Sequence, residues 1–216
     1  MTTNTRLIVL AFTKFKDTSI VLHTLSQVYG RRSFLVSVGR SSSMALYLPL
    51  NILEADVEES PRSTLWRARN LAPVHPLAGI RNTPHKNTMT LFLSEVLYRT
   101  VREGAREEGL YEWCERSILT LDALTQDYAN FHIRFLLEFA SALGFAPSIE
   151  DLMPFSGEHT AVLDDFLHAS FSEALLLPLS GRDRNRIADI LLQYIGYHAE
   201  TSLNIQSLKV LREIYG

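Results

Sequence analysis

The chain has 216 residues, of which 46% are hydrophobic and 21% charged, a composition typical of a soluble globular protein. This excludes extensive disorder and a coiled coil, and no apolar run is long enough for a transmembrane helix. The N-terminus shows no signal-peptide pattern, and the single cysteine, Cys114, excludes an internal disulfide and a multi-cysteine zinc site. We therefore expect a cytoplasmic protein.

The formal net charge of −3 is unevenly distributed along the chain. Residues 1–90 contain eleven Lys/Arg and five Asp/Glu, a net of +6, whereas the remaining 126 residues have a net of −9. Such asymmetry indicates either a polyanion-binding module joined to a second part, or chance combined with a solvated acidic helical surface. Charge alone leaves both interpretations open.

The first part of the chain predicts short β-strands separated by polar turns. In one of them Leu53, Ala55 and Val57 alternate with acidic residues, which is the period of a strand with one wet face. The candidate strands are residues 5–15, 20–25, 33–38, 46–49, 51–58 and 65–71. Five or six short strands at this spacing predict a small barrel or sandwich.

The second part of the chain predicts helices. Residues 72–87 are rich in proline and are expected to connect a β-domain at 1–75 to an α-helical domain at 76–216, giving an α+β protein with two domains. Asn130 is a candidate helix cap, and Gly144 is a candidate helix stop. The apolar period of 3.6 residues predicts helices near residues 87–104, 110–124, 130–143, 163–168, 181–198 and 207–215.

No motif for catalysis or metal binding is readable in the sequence. The seven histidines have no metal-ligand spacing, and there is no nucleophile elbow or phosphate-binding glycine loop. Cys114 follows a tryptophan inside a predicted helix and is interpreted as a core residue. We expect no enzymatic activity, cofactor or metal. A weaker alternative is a hydrolase in which a cleft gathers His132, His159 or His168 with carboxylates.

Cations and aromatic residues are interleaved near the N-terminus. The first fifty residues hold six Lys/Arg against one acidic residue, Asp17. A polyanion-binding barrel needs cations for phosphates and exposed rings for unpaired bases. The alternative is that Phe12, Phe15 and Phe34 fill the barrel. The predicted phosphate contacts are Lys14, Lys16, Arg31, Arg32 and Arg40.

The ordered series of short segments resembles a known family. Residues 6–10, 17–21, 29–31, 38–41 and 48–50 are similar, in order, to the amino-terminal OB-fold of the RecO family of bacterial recombination mediators. The helical part is similar to the RecO helical domain, particularly in its Bacteroidetes forms. The matching helical segments are residues 91–98, 130–132, 143–147 and 207–211.

The resemblance implies an OB-fold that binds single- and double-stranded DNA and anneals complementary strands. It further implies partnership with RecR, help in loading the RecA recombinase, and a helical domain that docks the C-terminal tail of single-strand DNA-binding protein. The protein would then be cytoplasmic and associated with the nucleoid. Some members carry a four-cysteine zinc site, which a chain with one cysteine cannot form. The alternative function is a protein-interaction adaptor whose barrel has weak or no DNA binding.

Overall fold

The structure is a computed structural model that describes residues 2–39, 43–61, 63 and 65–215. Within these residues the strands form a closed barrel in the order β1-β2-β3-β5-β4, with β4 paired antiparallel to β1. This arrangement confirms the predicted OB-fold at the start of the chain. The strands are β1 (Thr2–Lys16), β2 (Ser19–Ser26), β3 (Gly30–Ser37), β4 (Ile52–Glu58) and β5 (Trp66–Pro73).

The barrel core follows from the two-residue period of the strands. In β4, Leu53, Ala55 and Val57 are fully buried, whereas Glu54 and Glu58 are exposed, as predicted. The inward side chains of the other strands complete the core because alternate residues of a strand point to opposite faces. The core residues of β1, β2 and β3 include Leu7, Val9, Ile20, Leu22, Phe34 and Val36.

The candidate strand at residues 46–49 is not a strand, because this segment begins in a short 3-10 helix, Met44–Tyr47. The side-chain amide of Asn51 donates to the carbonyl oxygens of Ala45 and Leu46, which stabilises this turn. Pro49 has no N–H to donate to a strand partner, so the segment is poorly suited to a sheet.

The rest of the described chain is helical. Helix α2 begins at Pro84, before the predicted start, because proline is tolerated in the first turn of a helix. Besides a four-residue helix in the proline-rich connection, two further helices lie where none was predicted. The helices are α1 (Ala78–Arg81), α2 (Pro84–Thr100), α3 (Leu110–Ala123), α4 (Phe131–Ala142), α5 (Ile149–Ser156), α6 (Thr160–His168), α7 (Phe171–Leu176), α8 (Gly181–His198) and α9 (Ser207–Tyr215).

The two unpredicted helices, α5 and α7, begin with capping boxes. Ser148 and Asp151 satisfy each other's backbone N–H groups at the start of α5, and Ser170 and Glu173 do the same at α7. A serine followed three residues later by an acidic residue is a readable sequence signal for such a start. Gly144 ends α4 with φ +89, as predicted.

The contacts divide the chain into two compact units. The barrel unit comprises residues 1–78 and 94–118, and the helical unit comprises residues 79–93 and 119–216. In the part of the chain that the structure describes, no helix has the length and apolar character needed to cross a membrane. In the helical unit, Phe135 and Phe139 of α4 are buried among the apolar residues of α8 and its neighbours.

Asn130 does not cap α4, so that prediction is wrong. Its side chain is buried and its amide donates to the carbonyl oxygens of Ala174 and Leu177. Its side-chain oxygen accepts from Nε of Arg184, at 2.9 Å. Arg184 also donates to the carbonyl oxygens of Leu179 and Tyr215. This pair therefore satisfies the carbonyl oxygens of three segments inside the helical unit.

Candidate nucleic-acid interface

The β1–β2 hairpin ends in a segment of exposed residues, Phe12–Thr18, which we call the hairpin tip. Hydrogen-bonded pairing continues through it, with Phe12 opposite Leu22 and Lys16 opposite Ser19. The register shifts between Lys14 and Lys16, which marks a β-bulge. Because the tip is built from paired strands, its side chains project from a defined backbone and not from an open loop.

The tip places two rings and two ammonium groups on the surface. Phe12 and Phe15 are 44% and 52% exposed, whereas Phe34 is fully buried and fills the barrel. Nζ of Lys16 lies 5.5 Å from the centroid of the Phe15 ring. Nζ of Lys14 lies 3.8 Å from the carboxylate of Asp17, and an ion pair this exposed contributes little stability. Both lysines can exchange their present contacts for phosphate groups.

Arg31 lies in a different environment, near the opposite end of β2. Its side chain is 5% exposed, and Nη1 lies 2.8 Å from Oε2 of Glu103. Its guanidinium also lies 4.9 Å from the centroid of the Tyr98 ring. Burial lowers the pKa of Arg31, and the carboxylate of Glu103 opposes that shift. The guanidinium is therefore engaged inside the barrel unit.

The backbone around Arg31 explains its burial. Its N–H donates to the carbonyl oxygen of Ala105, and its own carbonyl accepts from the N–H of Gly104. Gly30 has φ +63, and a Cβ atom on it would lie 2.2 Å from the carbonyl oxygen of Ala105. Only glycine allows this close approach, which brings Glu103 against the sheet. Glu103 then accepts from the N–H and hydroxyl of Ser33.

Arg32 and Arg40 complete the predicted set. Arg32 is half-buried, and its guanidinium stacks 3.8 Å from the centroid of the Trp66 ring. Trp66 in turn meets the edge of Tyr29, whose hydroxyl donates to Glu59. Arg40 lies outside the described residues.

The predicted basic residues therefore fall into two groups. Lys14 is paired with Ile20 of β2, and Arg31 is paired with Leu25 of the same strand. The two groups are therefore five residues apart along β2. At about 3.3 Å per residue, this corresponds to about 16 Å along the strand. Lys16 lies with Lys14, and Arg32 lies beside Arg31. That these residues contact phosphate remains a prediction.

One exposed cation that the sequence did not single out lies level with the tip. One register row runs across four strands of the barrel, from Thr13 of the tip to Arg67 of β5. Its residues, in order, are Thr13, Val21, Leu35 and Arg67. Residues in one register row point to the same face of a sheet, so Arg67 projects outward on the side of Thr13. The signal available in the sequence was the alternation of two arginines within β5.

The remaining candidate groups are dispersed. Cys114 is buried, and burial raises the pKa of its thiol. Burial lowers the pKa of His132 to about 3, and its ring packs against Phe92. His159 and His168 pair with different carboxylates, those of Asp183 and Asp164. In the part of the chain that the structure describes, no group of three His, Cys, Asp or Glu residues could hold a metal ion.

Comparison with known proteins identifies related chains. The family described as Recombination protein O C terminal matches residues 81–151. A DNA repair protein RecO from Phocaeicola vulgatus is 30% identical over 96% of this chain and 97% of its own length. A DNA repair protein RecO from Bacteroides fragilis is 29% identical with the same coverage, and one from Flavobacterium psychrophilum is 27% identical over the full length of both chains.

Proposed function

Because this chain belongs to the RecO family of DNA repair proteins, we propose that its barrel unit binds DNA through the hairpin tip. The observation that carries this proposal is the exposure of Lys14 and Lys16 beside two exposed phenylalanine rings. Ammonium groups that displace phosphate counterions supply most of the affinity of sequence-independent DNA binding.

Strand annealing follows from the same charges. Two complementary strands repel each other through their phosphates, and a surface that neutralises these charges lowers the barrier to pairing. We propose that the barrel unit binds single- and double-stranded DNA and speeds the pairing of complementary strands. This activity would operate on chromosomal DNA in the bacterial cytoplasm.

The partners implied by family resemblance belong to the same proposal. RecR would work with this protein to load RecA onto DNA covered by single-strand DNA-binding protein, and the helical unit would dock the C-terminal tail of that protein. A four-cysteine zinc site cannot support the helical unit here, because the chain has one cysteine. The polar contacts of Asn130 and Arg184 inside that unit support its fold instead.

Binding to a fluorescently labelled oligonucleotide, followed by anisotropy in increasing salt, tests the proposal. The logarithm of the association constant should fall linearly with the logarithm of salt concentration. Lys14→Gln/Lys16→Gln should weaken binding and slow annealing of complementary labelled strands. Arg182→Gln/Arg186→Gln removes two exposed cations from α8 and serves as a control matched in charge. No binding by the wild-type protein at about 50 mM salt would refute the proposal.

The adaptor function is supported by a different observation. Several cations of the barrel unit are paired with carboxylates, among them Arg6 with Glu115 at 3.1 Å and Arg69 with Glu58 at 3.2 Å. These pairs reduce the positive field that the composition indicates. An adaptor would retain RecR and the single-strand DNA-binding protein tail in pull-down experiments while binding neither single- nor double-stranded DNA.

A further inference from the structure

We propose that Phe12 and Phe15 stack on unpaired bases, so that the hairpin tip selects single-stranded over double-stranded DNA. This inference rests on the proposed function and names the form of DNA that the same site prefers. Both rings are about half exposed, although most large apolar side chains of the barrel unit are buried. Exposed phenylalanines on a small hairpin mark a surface that is covered by a ligand.

The rings are held in place by the strands that carry them. Phe12 is paired with Leu22, and its ring centroid lies 6.5 Å from that of Tyr47 in a tilted arrangement. Tyr47 is itself buried in the barrel core, so this contact anchors the Phe12 ring while 44% of Phe12 remains exposed. A ring already ordered in the free protein loses little conformational entropy when a base stacks on it.

The bulge separates the second ring from the first. The register shift between Lys14 and Lys16 surrounds Phe15, and a bulge changes the direction of the side chain it contains. Phe12 and Phe15 are three residues apart, which is about 10 Å along a strand. This separation lets the two rings stack on bases of different nucleotides.

The order of side chains favours nucleic acid over an apolar protein partner. Lys14 lies between the two phenylalanines in the sequence, and Lys16 follows Phe15 with its Nζ 5.5 Å from the centroid of the Phe15 ring. A single strand likewise alternates flat bases with phosphates, and such cations and rings complement both. In a duplex the base faces are stacked on each other, so the rings have nothing to stack on and only the lysines retain their contacts.

Three labelled probes separate stacking from charge: an oligothymidine, a blunt duplex of equal length, and an abasic strand with the same number of phosphates. Phe12→Ala/Phe15→Ala should weaken oligothymidine binding at least about 10-fold, with little change for the duplex or the abasic strand. The slope of the logarithm of the association constant against the logarithm of salt concentration should keep its wild-type value. Phe12→Tyr/Phe15→Tyr should restore oligothymidine binding, because tyrosine preserves a ring for stacking.

Different results would refute different parts of the account. An equal loss on all three probes, or no loss on oligothymidine, would overturn stacking. If stacking were refuted but Lys14→Gln/Lys16→Gln still weakened binding, DNA binding by the hairpin tip would stand without base stacking. If the wild-type protein bound none of the probes, stacking and DNA binding would both be refuted. Thermal melting of each variant confirms that the exposed substitutions leave the fold intact.

Discussion

Cations of the neighbouring strands lie beside both ends of β2, but in opposite settings. At the hairpin tip, Lys14 and Lys16 are exposed beside exposed rings. At the other end, Arg31 is buried against Glu103 and Tyr98, and Arg32 stacks on Trp66. Both settings combine cations with aromatic rings, yet one is open to a ligand and the other has internal partners.

This difference shows why a count of basic residues does not locate a DNA surface. What matters is whether the cation is buried against a carboxylate or a ring of the same protein or remains exposed to solvent. Glu103 is supplied by a segment far along the chain, and Gly30 allows that segment to approach the sheet. The contrast predicts that substitutions at the buried end reduce stability, while substitutions at the tip reduce DNA binding.

Arg31→Ala is expected to have the largest effect on stability. It removes a guanidinium that is paired with Glu103 and packed on Tyr98, so the free energy of unfolding should fall by about 2–3 kcal/mol. Both tryptophans lie in the barrel unit, so tryptophan fluorescence during urea denaturation reports its unfolding. Lys14→Ala is the exposed control, and equal losses in the two variants would break the comparison.

Gly30→Ala tests the close approach that buries Arg31. The added methyl group meets the carbonyl oxygen of Ala105 and the residue must keep φ +63, so we expect a loss of about 2 kcal/mol. Gly104→Ala is a matched control because it has φ +86 but no atom within 4 Å of its Cβ position. It should cost about 1 kcal/mol from backbone strain alone. A larger loss at Gly104 than at Gly30 would contradict the steric explanation.

Ser170→Ala probes an exposed contact in the helical unit and is expected to cost about 1 kcal/mol at neutral pH. Hydrogen bonds from the Ser170 side chain and backbone lower the pKa of Glu173 in the folded state. The stability that these hydrogen bonds contribute is complete above the pKa of glutamate in the unfolded chain, about 4.3. It disappears as pH falls through the lower pKa that Glu173 has in the folded chain. The stability difference between variant and wild type, measured by circular dichroism during urea denaturation, should therefore narrow below about pH 4. A difference that widened in acid would contradict this linkage.

Lys14→Gln/Lys16→Gln should have the smallest effect on stability, below about 0.5 kcal/mol, because the lysines are exposed. Tryptophan fluorescence during urea denaturation measures this effect, with Arg31→Ala as the positive control. A loss above about 1 kcal/mol would show that the tip lysines support the barrel, and the contrast between its two ends would fail.

The fold could be read from the sequence where local patterns determine it. The alternation around Leu53 predicted β4, and Gly144 predicted the end of α4. The roles of Asn130 and Arg184 could not be read, because their partners are carbonyl oxygens of distant segments. The sequence placed Arg31 among surface cations for the same reason, since nothing near it in the chain indicates Glu103.

The salt dependence of oligothymidine binding tests the central claim most directly. It should be compared among the wild type, Lys14→Gln/Lys16→Gln and Arg32→Gln. The account predicts that the tip variant lowers the magnitude of the slope of log association constant against log salt by about 1.4, since each lost phosphate contact removes about 0.7 on single strands. Arg32→Gln should leave the slope unchanged. The opposite pattern, an unchanged slope for the tip variant and a reduced one for Arg32→Gln, would contradict the assignment of the hairpin tip as the DNA surface.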